Sequence, residues 1–494
     1  MNKVAVIGLD GAAPRLVFEL WRDELPNLAA LMQRGLWGEL RSCHPPITVP
    51  AWSSMMSSKD PGQLGFYGFR NRRAYTYDDY AFANSTLIKH DLVWDILSRA
   101  GKQSILLGVP QTYPPRQING HVVSCFLTPS RDSAYTYPPS LKAEVEAVAE
   151  GYVFDVEDFR TTDKRKLLQR IYEKTRKHFR VARHLLTTKP WDFFMMVEMG
   201  TDRIHHAFWK YFDPEHPKHE PGNEFEHAMR EYYRYLDSEV GEVLACIDPD
   251  AFVLVVSDHG AKKMDGGICF NEWLIQKGYL KLKAYPDKAT PVSPKLIDWS
   301  GTRVWADGGY YGRLFLNVKG REPQGVVAPE DYERVCDELI TAITAIEDPQ
   351  GRNIGSCAYR PAELYRETTG VPPDLLVYFG DLNWRSVGSV GLNTIYSLGN
   401  DTGPDDANHD WNGICIMRHG RYDDGGVRLD GLHLMDVAPT ILQHFDLPIP
   451  ADMLGKVIDG SRAYSAEDLE NSIPFEGKPQ VSDVARLILH EFGN

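Results

Sequence analysis

The sequence predicts an α/β fold built on a doubly wound, mostly parallel sheet flanked by helices. Mostly apolar segments at 3–8 and 192–199, and the uninterrupted apolar run at 252–256, are typical of strands that a parallel sheet buries on both faces. Long segments at 164–186 and 225–244 separate these runs and predict covering helices. Strands alternating with helices in this way indicate a doubly wound α/β protein.

The chain of 494 residues is long enough for two or three domains, or for one large α/β domain with insertions. We expect a catalytic domain over 1–279 and 401–460. Residues 280–400 are predicted to form an inserted, cap-like lobe, and 461–494 a C-terminal extension.

Composition excludes several classes of partner. The net charge of −14 argues against binding to a polymeric nucleic acid or an anionic membrane. It does not argue against a small phosphorylated substrate, because bound dications reverse the local charge. No apolar run reaches the ~20 residues of a membrane span. The seven cysteines are scattered and form no CxxC pattern, which predicts free thiols. The N-terminus does not resemble a signal peptide, and the two observations together predict a cytoplasmic protein. The oligomeric state stays open.

Asp10 follows the first predicted strand, in a stretch where Gly8 and Gly11 would let a ligand approach the backbone closely. The alternative is an aspartate that only caps the next helix. No GxGxxG pattern is present, which argues against a dinucleotide-binding turn.

Thr48 lies after a helix predicted over 26–34 and at the start of a second helix, whose first turn contains Pro50. A hydroxyl beside the free N–H groups of a helix N-terminus suits a phosphate. Thr48 is therefore a candidate nucleophile that a metal would activate, and a simple N-cap is the alternative. Ser53 and Ser54 lie further into the helix and are weaker candidates.

Asp202 and His206 follow the strand predicted over 192–199. In a helical turn these two side chains share one face and would converge on one metal, whereas His205 points elsewhere. An exposed polar turn is the alternative.

Asp258 and His259 end the most apolar strand, at 252–256. Ligands of open α/β sheets lie beyond the C-terminal ends of strands, and a carboxylate beside an imidazole suits zinc or a similar divalent metal. A turn that merely caps a helix is the alternative.

His409 lies in a predicted polar loop before a short apolar strand, where an exposed histidine is the alternative to a ligand. Between these motifs, 60–69 is expected to be a glycine- and aromatic-rich loop at the mouth of the site, and 112–139 to be irregular. The other predicted elements are helices over 91–100, 270–280, 330–345, 435–445 and 482–492 and strands over 104–109, 313–318 and 375–379.

Together the candidates are three aspartates, three histidines and one hydroxyl, the inventory of a two-metal hydrolytic site. They are Asp10, Thr48, Asp202, His206, Asp258, His259 and His409.

The order of these motifs resembles the type I phosphodiesterase/nucleotide pyrophosphatase branch of the alkaline phosphatase superfamily, over roughly residues 3–455. The motifs are GLDG at 8–11, PPITVPAWSS at 45–54, DxxxH at 202–206, SDHG at 257–260, His409 and DVAPTIL at 436–442. The resemblance implies an alkaline-phosphatase-like fold and a hydrolase of phosphodiester or phosphoanhydride bonds in a small, nucleotide-like or other phosphorylated molecule.

The resemblance also implies roles for the candidate residues. Two divalent metals are expected, Zn²⁺ first and Mn²⁺ as the alternative. One would be bound by Asp10, Thr48, Asp258 and His259, and the other by Asp202, His206 and His409. Thr48 would attack phosphorus to form a covalent phospho- or nucleotidyl-threonine, which a water at the second metal would hydrolyse.

One position departs from the family. Members that cleave nucleotide diesters often carry an asparagine after the nucleophile that touches the phosphate, and Phe69 aligns with it here, with Arg70 or Asn71 as possible substitutes. A phosphomonoesterase, phosphonate hydrolase or phosphomutase of the same superfamily therefore stays open, as does a non-catalytic binding protein on this fold. A sulfatase is disfavoured because Thr48-Val49-Pro50-Ala51-Trp52 lacks the arginine of that motif.

Overall fold

The structure is a computed structural model that describes residues 3–420 and 425–459. The predicted extension over 461–494 and the helix predicted over 482–492 lie outside these residues.

A sheet of ten strands forms the centre of the molecule. Its strands, in spatial order, are Val427–Arg428, Leu36–Arg41, Asn412–His419, Phe252–Val256, Val4–Leu9, Phe193–Glu198, Ser104–Leu107, Gly120–Val123 and Thr136–Tyr137, with Leu432–His433 also paired to Leu36–Arg41.

The three strands predicted from apolar runs are central neighbours in this sheet. Val4–Leu9 pairs in parallel with Phe193–Glu198 on one side and Phe252–Val256 on the other, and all three are buried throughout. Leu9 is in register with Glu198, and Gly8 with Val256. The C-terminal ends of the three strands therefore lie at one level, where parallel α/β sheets place their ligand sites.

Helices cover both faces of this sheet, and the predicted fold class is confirmed. Side chains of Val4–Leu9 alternate between two hydrophobic layers, with Ile7 in one and Val6 in the other. One layer is completed by helices Pro26–Arg34, Leu141–Ala149, Lys164–Thr188, Gly200–Phe212 and Ala228–Leu244, and the other by Thr48–Ser57, Val93–Arg99 and Val437–His444. Among the described residues, no helix combines the length and the apolar composition needed to cross a bilayer.

A second core lies in the middle of the chain. It is built around a four-stranded antiparallel sheet with the order Val304–Asp307, Gly312–Leu316, Leu375–Tyr378 and Cys357–Tyr359. Helices Phe270–Gln276, Tyr332–Thr344 and Pro361–Leu364 accompany it, as does a three-stranded sheet of Trp384–Val387, Gly266–Cys269 and Tyr396–Ser397. Ile268 and Phe270 pack in the same core as Leu339 and Phe379. The limits of 1–279, 280–400 and 401–460 stay a prediction.

Three segments differ from the local prediction. The stretch 112–139, expected to be irregular, contributes the last two strands at one end of the central sheet, each too short to show a clear apolar pattern. The predicted loop at 60–69 contains a helical turn, Pro61–Leu64, closed by a capping box between Asp60 and Gln63. Gly260–Lys263 is a strand that pairs with Ala407–Asp410, so that His409 lies in a strand and not in a loop. Two further strand pairs are Arg70–Arg72 with Tyr80–Phe82 and Thr290–Pro291 with Ser389–Val390.

Candidate two-metal active site

The seven candidate side chains meet at the C-terminal edge of the central strands. Asp10 follows Leu9 directly, and Asp258 and His259 follow the strand that ends at Val256. Asp202 and His206 lie on the helix that begins at Gly200, and all seven residues are buried.

The first cluster consists of Asp10, Asp258 and His259, whose candidate ligand atoms all lie within 4.8 Å of one another. His259 Nε2 is 3.3 Å from Asp258 Oδ2 and 3.7 Å from Asp10 Oδ1. Because each residue comes from the end of a central strand, the parallel register brings this cluster together.

The second cluster consists of Asp202, His206 and His409. His206 Nε2 lies 3.1 Å from Asp202 Oδ1 and 3.3 Å from His409 Nε2, as expected for ligands on one helical face facing a third across the site. The rings of His409 and His259 stack at a centroid distance of 3.8 Å, which makes the two clusters direct neighbours.

Thr48 is the first residue of helix Thr48–Ser57 and not its N-cap, which is Ile47. The side chain of the N-cap residue Ile47 makes no capping hydrogen bond. Thr48 Oγ1 lies 3.4 Å from Asp10 Oδ1 and 3.4 Å from His259 Nε2. The hydroxyl therefore faces the first cluster at the positive end of a helix dipole.

All three histidines turn the same nitrogen toward the clusters. His206 Nδ1 lies 2.8 Å from Asp405 Oδ1, and His409 Nδ1 lies 2.9 Å from Pro46 O. His259 Nδ1 lies 2.8 Å from Gly260 O. These oxygens only accept hydrogen bonds, so each Nδ1 donates, and Nε2 is left to face the cluster. Metal-binding histidines are oriented in this way by a partner behind the ring.

The carboxylates of the first cluster are also held from behind. Trp52 Nε1 donates to Asp10 Oδ2 at 2.7 Å, and the Gly11 amide donates to Asp258 Oδ1 at 3.2 Å. The second oxygen of Asp258 is buried and receives no hydrogen bond. A buried carboxylate oxygen without a donor, beside free imidazole nitrogens, fits a divalent cation.

Electrostatics point to the same conclusion. Burial, and then the charge of Asp202, raises the pKa of Asp10 to about 8. Burial and the neighbouring Asp10 raise the pKa of Asp258 well above its usual range. For Asp202, burial alone would raise the pKa, but His206 and Arg203 outweigh it and lower the pKa well below the usual value. Without a cation the first cluster therefore resists the ionisation of both its carboxyls.

A cavity of about 360 Å³ opens beside the clusters, with Thr48, Asp202 and His409 among its lining residues. Of the two residues considered as substitutes for the missing asparagine, Arg70 lines this cavity. Asn71 is engaged elsewhere, since its side chain accepts from the Tyr67 amide at 2.8 Å and donates to Gly68 O at 2.9 Å.

Several residues behind the clusters were not predicted from the sequence. Asp405 bonds His206, Arg203 donates to Asp202, and Tyr310 stacks on both His206 and His409. Two of them lie near predicted ligands in sequence, since Arg203 directly follows Asp202 and Asp405 lies close to His409, whereas Tyr310 has no such local signal.

Comparisons with known proteins agree with this geometry. Residues 4–405 match the family model described as type I phosphodiesterase / nucleotide pyrophosphatase, a span that ends shortly before His409. No curated protein sequence matches the chain significantly.

Solved structures share the fold at low identity. Human ectonucleotide pyrophosphatase/phosphodiesterase 5 superposes with a TM-score of 0.51 and 12% identity, covering 91% of this chain and 96% of that one. An inactive threonine-to-alanine variant of murine ectonucleotide pyrophosphatase/phosphodiesterase 5, in complex with AMP, superposes with a TM-score of 0.52 and 12% identity. This match covers 91% of this chain and 96% of the murine one. Phosphonoacetate hydrolase from Sinorhizobium meliloti, in complex with phosphonoformate, superposes with a TM-score of 0.56 and 14% identity. This match covers 88% of this chain and 94% of the hydrolase.

Proposed function

Because this chain belongs to the type I phosphodiesterase / nucleotide pyrophosphatase family, we propose that it is a metal-dependent hydrolase of phosphodiester or phosphoanhydride bonds in a small phosphorylated molecule. Its nucleophile in this proposal is Thr48, which forms a covalent phospho-threonine. The observation that carries the proposal is the position of Thr48 Oγ1, 3.4 Å from both Asp10 Oδ1 and His259 Nε2.

Two divalent metals, Zn²⁺ first and Mn²⁺ as the alternative, belong to this proposal. One would be held by Asp10, Thr48, Asp258 and His259, and the other by Asp202, His206 and His409. When bound, such metals lower the pKa of a coordinated hydroxyl and neutralise charge on the phosphoryl oxygens.

The protein's own groups prepare the reaction. Asp10 Oδ1 and His259 Nε2 fix the direction of the Thr48 hydroxyl, and Trp52 holds Asp10 in place. Attack by Thr48 Oγ1 forms a bond to phosphorus, breaks the bond to the leaving-group oxygen and leaves the hydroxyl proton to be taken up by the leaving group. Hydrolysis of the phospho-threonine by water then returns a proton to Thr48. The N-terminus of helix Thr48–Ser57 stabilises the negative charge throughout.

A named relative supports the role of threonine. The murine structural neighbour that binds AMP is described as inactive when a threonine is replaced by alanine. A nucleotide-like substrate and a catalytic threonine are carried over to this chain as part of the proposal.

A phosphonate hydrolase is the second candidate. The likeness to phosphonoacetate hydrolase and the arginine-lined cavity beside the clusters favour it, because phosphonoacetate carries a carboxylate in addition to its phosphonate group. A phosphomonoesterase, a phosphomutase or a non-catalytic binding protein would be distinguished by the same assays.

The test compares hydrolysis of a nitrophenyl diester, a nitrophenyl monoester and a phosphonate by the metal-loaded protein. We expect the diester to be the best substrate, with activity abolished by a chelator and reduced at least about a thousandfold in Thr48→Ala. Thr48→Ser should retain part of it. Ser53→Ala, in the same helix but bonded to Val49 O, is the matched control.

A preference for the monoester or the phosphonate would move the assignment to the corresponding alternative. Full activity in Thr48→Ala would refute the nucleophile, and absence of any metal-dependent hydrolysis would favour a binding protein.

We also propose a cytoplasmic location. All seven cysteines are free thiols, which is typical of a reducing compartment. Mass spectrometry of the protein from its native cells should find these thiols reduced, and a disulfide would contradict this location.

A further inference from the structure

The cavity beside the clusters has a charge opposite to that of the protein. The chain carries a net charge of −14, yet five arginines and two aspartates line this cavity. The arginines are Arg70, Arg160, Arg203, Arg313 and Arg385. One of the two aspartates, Asp202, belongs to the second cluster. The five guanidinium charges therefore exceed the two carboxylate charges on the cavity wall.

Three of the arginines are already engaged by the protein. Arg203 pairs with Asp155 at 2.7 Å, and Arg313 pairs with Asp307 at 3.0 Å. Arg160 bonds Asp405 at 3.2 Å and the hydroxyl of Tyr310 at 2.7 Å. These three therefore shape the wall of the cavity more than they offer charge to a ligand.

Arg70 and Arg385 are different. Among the described residues no acidic side chain pairs with the exposed guanidinium of Arg70, whose Cζ lies 5.9 Å from the ring centroid of Tyr80. Arg385 is 3% exposed and donates from Nη1 to Asp405 at 3.1 Å, but its Nε is buried with no acceptor. A buried N–H group of an arginine without an acceptor is destabilising. Asp405 is shared between Arg385, Arg160 and His206, so an oxyanion bound against the part of Arg385 that lines the cavity would complete its charge pairing.

We propose that this cavity binds a second anionic group of the substrate, a carboxylate or a phosphate, and that Arg70 and Arg385 are the residues that select for it. This inference rests on the proposed function and names its substrate class: a phosphoester or phosphonate that carries a further oxyanion. The planar guanidinium groups match the two oxygens of a carboxylate or phosphate. Phe69, Phe126 and Phe159 line the same cavity and accommodate an apolar spacer between the two anionic groups.

The first arm of the test measures selectivity with the metal-loaded full chain. The substrates are three nitrophenyl phosphodiesters whose second ester group is phenyl, 4-carboxyphenyl or 4-phosphonophenyl. We expect kcat/KM for at least one charged diester to exceed that of the phenyl diester about tenfold or more. This ratio should fall about tenfold in Arg70→Gln and in Arg385→Lys. The charged group that gives the larger ratio separates carboxylate from phosphate.

Arg334→Gln is the matched control, because Arg334 is exposed and paired with Asp331 at 2.8 Å. Its ratio should equal that of the wild type. Arg70 is exposed, so Arg70→Gln should fold even if the buried Arg385→Lys does not. A ratio near one in the wild type, or an unchanged ratio in Arg70→Gln, would overturn the proposal.

The second arm does not need catalysis. Calorimetry on the chelator-treated full chain would compare benzoate, phenylphosphonate and benzamide as probes. We expect one of the two anions to bind at least about tenfold more tightly than benzamide, with the difference lost in Arg70→Gln. Equal binding of all three would refute the anion site even if the enzyme is active. Selective anion binding by an inactive protein would instead refute the proposed hydrolysis alone.

Discussion

Asp405→Asn is the change that tests most sharply how the second cluster is built. The Asp405 carboxylate is buried and accepts from His206 Nδ1 at 2.8 Å, Arg160 Nε at 3.2 Å and Arg385 Nη1 at 3.1 Å. Burial alone would raise the pKa of Asp405, but His206 and Arg385 outweigh it and hold the pKa well below its usual value. The group is therefore ionised and supports His206 from behind.

Two magnitudes follow from this geometry. Removing one partner of a buried charge pair costs about 3–5 kcal/mol of unfolding free energy, and asparagine still accepts one hydrogen bond, so we expect about 3 kcal/mol. Partners behind a metal ligand are worth about 10–100-fold in metal affinity, and we expect such a loss at the cluster that contains His206.

The assay is metal content at graded free Zn²⁺, together with urea unfolding of the metal-free protein. Asp91→Asn is the matched control, because Asp91 makes an exposed ion pair with Arg99 at 2.5 Å, where about 1 kcal/mol or less is expected. If Asp405→Asn keeps wild-type zinc affinity, or weakens it no more than Asp91→Asn does, the role given to Asp405 is wrong.

Three further changes test the packing and charges around the site. With its pKa raised from 3.8 to about 8 in the folded, metal-free protein, Asp10 binds a proton that the unfolded chain has lost, so Asp10 alone should lower the unfolding free energy of the chelated protein by up to about 1.4 kcal/mol per pH unit between 6.5 and 8. The raised pKa values of Asp258 and His206 act in the same direction. Below pH 6.5 the lowered pKa values of His259 and His409 act in the opposite direction. A flat or rising unfolding free energy between pH 6.5 and 8 in urea titrations would contradict this prediction. Trp52→Phe removes the indole N–H that donates to Asp10, so it should lower the unfolding free energy by about 1.5–3 kcal/mol and weaken zinc binding. Trp94→Phe, in the same hydrophobic layer, should leave zinc affinity unchanged. Lys174→Met breaks a buried 2.9 Å ion pair with Glu198 and should lower the unfolding free energy by about 3–5 kcal/mol, part of which Lys174→Met/Glu198→Gln should restore; a neutral effect of the single change would refute it.

Much of the fold could be predicted because the central strands are recognisable from their own local sequences. The strands Val4–Leu9, Phe193–Glu198 and Phe252–Val256 are buried on both faces, so their sequences are almost entirely apolar and easy to recognise. Since parallel register fixes where such strands end, the polar residues that follow them, Asp10 and Asp258, were also predictable as neighbours.

The residues that support the site could not be predicted in the same way. Asp405 contacts His206 across 199 positions, and Tyr310 stacks on His409 from the middle of the chain. His409 itself was expected in a loop, because its strand, Ala407–Asp410, is polar and gains its regularity only by pairing with Gly260–Lys263. Such contacts depend on the tertiary fold and leave no periodic signal in the sequence.

The charge of the cavity was also hidden from sequence reasoning. Arg70 was considered only as a substitute for the missing asparagine, and nothing in the sequence singled out Arg160 and Arg385, which come from distant segments. Only the folded structure shows that all three side chains line one cavity together with Thr48.

Direct trapping of the covalent intermediate tests the central claim most closely. The metal-loaded protein would be mixed with a nitrophenyl diester, quenched in acid within milliseconds and digested for mass spectrometry. We expect one phosphorylated peptide, modified at Thr48, whose yield rises with the burst of nitrophenol and which is absent from Thr48→Ala. Turnover without any covalent adduct, or an adduct on another residue, would contradict the account.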